Sequence, residues 1–405
     1  MSDSAPDQLL SFQATVNSII MTSSSGATGG VLPAAVTVEV SHLQATAQPL
    51  SQVQVAPGTY TGATVSLSSV SATYVNSSGA VASVSFSGTF SVPVTFNPNL
   101  VVGSDPVALN LDFNLAQSIT SLTASGLTPT ITASTGTVPA ASQQEEGTGG
   151  VHDLTGVITS LSGASFVMEA NQVASALTVT VDSNTVYSGV TGLSNLAVGN
   201  IVEVNATFQS NSTLLASKVE GEVGIAVEAE GIVVSRTAGS GSTPNTFVIA
   251  VQNSAGSGAP TPGTLLSVAA DNTTLYVLPV DEANLGGLSF TPSFTSFANL
   301  AIGQRVEVRT ASNFGVVVRE VKLGLQTLGG TPNSQNGTQY TLSLPSPSAF
   351  LLLTGATNID FILQSTTELN GLSTIVLGAP LHVRGLLLFD TVSSRYKLVA
   401  TRITP

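Results

Sequence analysis

The chain has 405 residues, more than one ordinary hydrophobic core organises, so several domains are expected. Ten Lys and Arg stand against 23 Asp and Glu, a formal charge of −13, and such a field repels polyanions, which argues against nucleic acid and anionic lipid as partners. There is no Cys, which excludes disulfides, thiolate metal sites and a Cys nucleophile.

Only 8% of residues are charged and mean hydropathy is +0.38, yet no window carries the long apolar run of a membrane helix. Ser, Thr, Asn, Gln, Ala, Val and Gly make up the rest, in alternating apolar and polar order, while the helix formers Lys, Arg and Glu are scarce. The expectation is an all-β protein. Met1 leads into SDSAPDQ, which lacks the basic start and apolar centre of a signal peptide. Either the chain is cytoplasmic or, the favoured reading, it is a mature form whose leader was removed and replaced by Met, a lipid-anchored Cys ahead of Ser2 in the precursor being one option.

Residues 8–20 alternate, with Leu10, Phe12, Ala14 and Val16 on one side and Ser11, Gln13, Thr15 and Asn17 on the other. Val36, Val38, Val40 and His42 share a face after a Ser/Gly turn. Pro57-Gly58 marks a turn into TYTGATVSL, and VSFSGTFSVPVTF and PVALNLDFNLAQSI supply further strands. These runs predict an antiparallel β-sandwich over 1–132. Residues 133–152, rich in Gly, Ser, Thr and Pro, read as a linker.

Three repeats follow, at 153–224, 225–324 and 325–405. LAVGNIVEVNATF at 196–208 returns as LAIGQRVEVRT at 300–310 and as IVLGAPLHVRG at 375–385. DSNT at 182–185 returns as DNTT at 271–274 and QSTT at 364–367, and the first two are read as Asx-type turns. Five or six short strands per unit suffice to close a small β-barrel. Repeat two carries an insertion at 279–297 with Phe290, Phe294 and Phe297, and repeat three lacks an evident first strand. Short connectors predict a semi-rigid rod of modules.

Residues 3–120, with DSAPDQL, the Val-rich second strand, APGTYTGATVSL and LNLDFNLAQSI, resemble the bacterial family called domain of unknown function 4382, whose members are mostly secreted or lipoprotein-type. The repeats, with FVME, VTVDSNTVY, LAVGNIVEVNA and LLASKV, resemble domain of unknown function 5666. Neither resemblance supplies an activity or catalytic residues. Together they imply placement in the bacterial envelope or outside the cell.

No G-x-S-x-G elbow and no phosphate loop is present. The three histidines, His42, His152 and His382, have no orienting partner at a telling spacing. His42 reads as a core-edge residue and His382 as solvent-facing. Two groups are weak metal candidates. His152 and Asp153, near Glu145 and Glu146, form one, with a solvated linker end as the alternative. Glu220, Glu222, Glu228 and Glu230 form the other, as an intermodule Ca²⁺ site or as a polar outer face that keeps a hinge strand soluble. Otherwise no cofactor is expected. Tyr60, Tyr74, Tyr187 and Tyr276 are glycan-stacking candidates, although the matched positions of Tyr187 and Tyr276 favour barrel cores.

The leading functional expectation is a non-catalytic extracellular or cell-envelope structural protein serving adhesion, spacing or filament assembly. Self-association would run through strand exchange by Leu10, Phe12, Ala14 and Val16, against the alternative that this strand pairs in its own sandwich. Other surface proteins are further partners. A glycan- or small-ligand-binding surface lipoprotein is the second expectation, and a hydrolase with a site formed between domains the third.

Overall fold

The computed structural model describes residues 7–43, 47–138, 150–241 and 243–405. The protein is all-β, as its alternation predicts. In the N-terminal domain β1 (Leu9–Ser23), β2 (Thr28–Gly30), β3 (Val36–Glu39), β4 (Gly58–Val75), β5 (Val81–Ser85) and β6 (Phe90–Val102) form one antiparallel sheet. A second sheet pairs β7 (Val107–Phe113) with β8 (Ile131–Thr137), and a one-turn helix α1 (Leu115–Ser118) follows β7. Phe12, Val65, Leu67, Val94 and Phe96 from the first sheet share a core with Leu109, Leu111 and Ile131. β8 continues to Thr137, so the start of the stretch read as a linker is strand.

β1 lies inside its sheet. It pairs with β4 from Leu9 to Ser23, and its other edge takes β3 at Gln13–Val16 and β2 at Ile20–Thr22. Phe12, Ala14 and Val16 are buried in the domain core. Leu10 departs from that face: the register slips between Leu9 and Ser11, and Leu10 packs instead with Val75, Val234, Ala250 and Ala349. A bulge of this kind re-aims a side chain by adding one residue to one strand.

Barrel one contains β9 (Gly150–Ser162), β10 (Ser165–Ala170), β11 (Leu177–Thr180), β12 (Val186–Ser188), β13 (Ile201–Phe208) and β14 (Leu214–Glu222). The ring runs β11-β10-β9-β13-β14 and closes through parallel pairing of β11 with β14. Barrel two repeats the order with β15 (Val227–Thr237), β16 (Asn245–Gly256), β17 (Leu265–Ala270), β18 (Leu275–Val277), β19 (Arg305–Thr310) and β20 (Glu320–Leu323). Its seam is a parallel bridge from Ala269 to Val317. Barrel three closes fully through β21 (Leu325–Asn336), β22 (Gln339–Ser343), β23 (Asn358–Leu369), β24 (Leu381–Asp390) and β25 (Arg395–Thr404), with a short helix α2 (Ala349–Thr354). β21 is the first strand that repeat three was expected to lack. In each unit five strands follow the same order around the ring, an architecture that fixes no ligand.

Two repeated details explain why these sequences close. Gly199, Gly303 and Gly378 sit at φ +90°, +86° and +87°, a left-handed turn that a Cβ disfavours. Their amides donate to Ile158, Val233 and Pro332 carbonyls, tying the turn to the barrel's first strand. Thr185 and Thr274 cap the turn after the third strand, Thr367 holds the matching place at an irregularity within β23, and the three donate to the fifth-strand region at Ala216 O, Val318 O and Ala400 O, at 2.8, 2.9 and 2.7 Å.

The modules do not form a rod. Barrel two is a hub touched by the other three. Gln252 Nε2 donates to Leu10 O at 2.8 Å and Thr73 Oγ1 donates to Gly263 O at 2.6 Å, joining it to the N-terminal domain. Gln304 Nε2 donates to Leu387 O at 2.9 Å and the Tyr396 hydroxyl to Ile302 O at 2.8 Å, joining it to barrel three. Barrel one meets both barrel two and the N-terminal domain through Gln172, which bonds Gln252 O, Asn253 and the Glu39 amide. Short connectors limit reach, but they do not prevent outer faces from being covered.

Candidate functional site

The polar residues of the chain converge where the four domains meet. β19 is buried on both faces: Val306 and Val308 point into the barrel, while Arg305, Glu307 and Arg309 point outward against neighbours. Arg309 is 3% exposed. Its Nε lies 3.1 Å from Glu228 and its Nη1 2.8 Å from Glu320; Nη2 reaches Glu220 at 3.1 Å and Glu307 at 2.8 Å. Glu220 belongs to barrel one and the others to barrel two, so one guanidinium spans the joint.

Lys322 on β20 makes the second centre. Its Nζ lies 2.9 Å from Glu282, 3.3 Å from Glu220, and 3.7 Å from both Glu203 and Glu307. Four carboxylates drive the Lys322 pKa upward in spite of burial. Burial raises the Glu203 carboxyl well above its usual value, and Glu307, Asp153 and Glu220 add to this while Lys322 opposes it. Burial also pushes Glu282 up to about 7, against the pull of Lys322. Glu307 goes the other way: Arg309 and Lys322 outweigh the cost of its burial. Lys218 bridges Asp281 at 2.6 Å and Glu220 at 3.3 Å near the rim.

Beside this network lies a cleft of about 70 Å³ to which every domain contributes, among them His42, His152, Asp153, Glu203, Glu282 and Arg384. That volume accommodates a few water molecules or a small group. At its N-terminal wall Glu39 is buried and accepts five hydrogen bonds, from Phe12 N, Ser41 N, Ser41 Oγ, His42 N and His42 Nδ1. Burial works to raise the Glu39 pKa, but His42, Ser41 and the Phe12 amide hold it below the ordinary value. His42 therefore does have an orienting partner. A strand puts residues 39 and 42 on opposite faces, whereas the 3-10 turn at Ser41–Leu43 folds the ring back onto the carboxylate. Its Nε2 lies 3.3 Å from Gln48 Oε1.

The glutamates taken as a metal set or a solvated hinge face have another role. Glu220 and Glu228 are buried against Arg309, and Glu230 pairs with Arg305 at 2.7 Å. Cations cover these carboxylates, so the hinge strand is not a solvated outer face. The Glu222 side chain lies outside the described residues, as do Glu145 and Glu146. His152 is exposed at the cleft wall and Asp153 lies 3.7 Å from Arg384. Among the described residues no group of three or more His, Asp or Glu is placed to hold a metal ion.

Tyr60 is buried and donates to Ala56 O at 3.0 Å; Tyr74 is half-buried in β4. Tyr187 and Tyr276 pack against their barrel cores, as their matched positions predict. Phe294 and Phe297 of the insertion are buried in barrel two, and Phe290 lies beneath Lys397 Nζ at 4.6 Å. The insertion thus turns its aromatic rings inward, and presents Asp281 and Glu282 to the joint. His382 is half-buried rather than fully solvent-facing, with Nδ1 3.2 Å from Pro405 O. Arg309, Lys322, Glu307, Glu203 and Glu282 were not singled out from the sequence. For all but Glu282, which lies in the insertion, the signal is the spelling VEVRT, EVKL and VEVNA, where rare charges alternate with apolar residues on strands of a charge-poor chain.

Among the described residues no helix is long and apolar enough to cross a membrane. A solved multidomain protein with nucleic acid binding domains from Streptococcus pneumoniae TIGR4 is similar over 62% of this chain and 73% of its own, at 10% identity and a TM-score of 0.14, values from which no shared activity follows. No curated protein matches the chain in sequence. Residues 155–220, the body of barrel one, match the family described as Domain of unknown function (DUF5666).

Proposed function

We propose that this chain is a non-catalytic structural protein of the bacterial envelope or extracellular space, a spacer or adhesion subunit held as one body by its polar joint. One observation carries the reading. The buried charges at the centre are bound to one another across domain boundaries, so they act as fasteners. The N-terminal resemblance to a family of mostly secreted or lipoprotein-type members supports the location. Because β1 has neighbours at both edges in this fold, spacing and adhesion fit better than filament growth by strand exchange. The test is complementation of a deletion strain, with the product followed by cell fractionation. The H42A/H152A/H382A variant should restore the wild-type envelope phenotype, while R309L should not. Loss of function in a histidine variant of unchanged thermal stability would overturn the reading.

The oriented His42 at the wall of a polar cleft favours a second reading, a small-ligand or glycan site or an interdomain hydrolase. A glycan array and a fluorogenic ester panel read with wild type and H42Q would reveal it through hits that the variant loses.

A further inference from the structure

The joint between barrels one and two carries more carboxylates than cations. Barrel one contributes Asp153 on β9, Glu203 on β13, and Lys218 and Glu220 on β14. Barrel two contributes Glu228 on β15, Glu307 and Arg309 on β19, and Glu320 and Lys322 on β20. Its insertion adds Asp281 and Glu282. At the margin Arg384 of barrel three faces Asp153 and Arg305 faces Glu230, while His42 and His152 line the same cleft. Lys322 alone is shared by Glu203, Glu220, Glu282 and Glu307 from both barrels. Arg309 also reaches Glu220 and Glu307, which leaves Glu203 and Glu282 leaning on the one ammonium; it cannot neutralise both, and like charges brought together out of water resist ionising together.

We propose that this joint is a proton-operated clamp, which tightens as pH falls from mildly alkaline to mildly acidic and loosens in the opposite direction. Docking moves Glu203 and Glu282 out of water beside other carboxylates, so the docked form holds protons that the separated barrels release. Any state that binds more protons gains population on acidification, by up to about tenfold per pH unit for each extra proton. Glu282 is raised to about 7 and Glu203 moves in the same direction, so their contribution is fully present below pH 4.5 and is lost as pH rises through the folded values. Glu307 and Asp281 are lowered. Their contribution fades only in stronger acid, which sets the lower limit of the clamp. The inference concerns the joint whatever the chain's task, and its failure would leave the structural reading standing.

The absence of Cys makes the test direct. Val198 of barrel one and Val316 of barrel two are 63% and 50% exposed. Spin labels at V198C and V316C in the full chain report the distance across the joint by pulsed electron spin resonance. The distribution should narrow between pH 8.5 and 5.5, with any undocked population shrinking about tenfold or more. E282Q, which places a neutral amide where the protonated acid sits, should narrow the distribution at pH 8.5 and leave only the smaller pH dependence that Glu203 supplies. The labelled chain with its native Glu282 needs no buried substitution, so its titration decides the matter even if E282Q misfolds. An unchanged distribution across this range, or one that broadens in acid, would overturn the proposal.

Discussion

Arg309 touches four carboxylates at 2.8 to 3.1 Å from a position that is almost wholly out of water. Removing a buried charge strands its partners, a loss of about 3–5 kcal/mol where one pair is broken. Arg309→Leu should therefore lower unfolding stability by at least about 3 kcal/mol in chemical denaturation, whereas the rim pair of Arg402 with Glu368, 59% exposed on the acid side, should contribute less than about 1 kcal/mol. Glu39 makes a pH prediction. Its folded pKa is depressed, so its contribution is present above the ordinary carboxylate value of 4.5 and disappears as pH falls through the lower folded value. Amide exchange in β1 and β3 should accelerate in that acid range, after correction for the intrinsic rate, and Glu39→Gln should flatten the dependence. The residue scale was the least legible part of the sequence. A period-two strand separates residues 39 and 42, and only the 3-10 turn reunites them.

The repeated threonine is an element-scale device. The hydroxyls of Thr185, Thr274 and Thr367 accept from the backbone amide three residues earlier at 3.0, 3.1 and 2.8 Å, the first two in turns and the third within β23, and bond the strand region opposite. Thr274→Val keeps the shape, removes the hydroxyl and leaves the Val318 carbonyl unpaired in a buried setting. The expected loss is about 1–3 kcal/mol, measured by thermal unfolding, and Thr367→Val should show a similar loss in barrel three. This scale was the most legible. The DSNT, DNTT and QSTT stretches and the glycines at 199, 303 and 378 were visible as matched positions because local backbone geometry demands particular residues. The alternation gave inner and outer faces of each strand. It could not say what covers an outer face, since an outer face covered by another domain reads like one covered by water when both are polar. Glu220 and Glu228 read as solvated for that reason, and the phenylalanines of the insertion, visible in the sequence, gave no sign of packing inward because they follow no strand period.

For the molecule as a whole, covered faces replace the expected rod. Small-angle scattering should give a radius of gyration within a few ångström of the roughly 22 Å of a compact chain this long, and a single-peaked distance distribution. An elongated tail in that distribution would contradict the hub arrangement. Moderate salt should alter it little, because the central charges lie out of solvent and are weakly screened.

The lateness of barrel two has a consequence for biosynthesis. Leu10 and Val75 lean on Val234 and Ala250, and the Leu10 carbonyl is bonded by Gln252. Ribosomes add about 5–20 residues per second, so for roughly 6–25 s after β8 is made the nascent N-terminal domain carries an uncovered greasy patch while its lid is still being made. A holdase would find its purchase there, and a chain arrested before residue 230 should clump where the completed one does not.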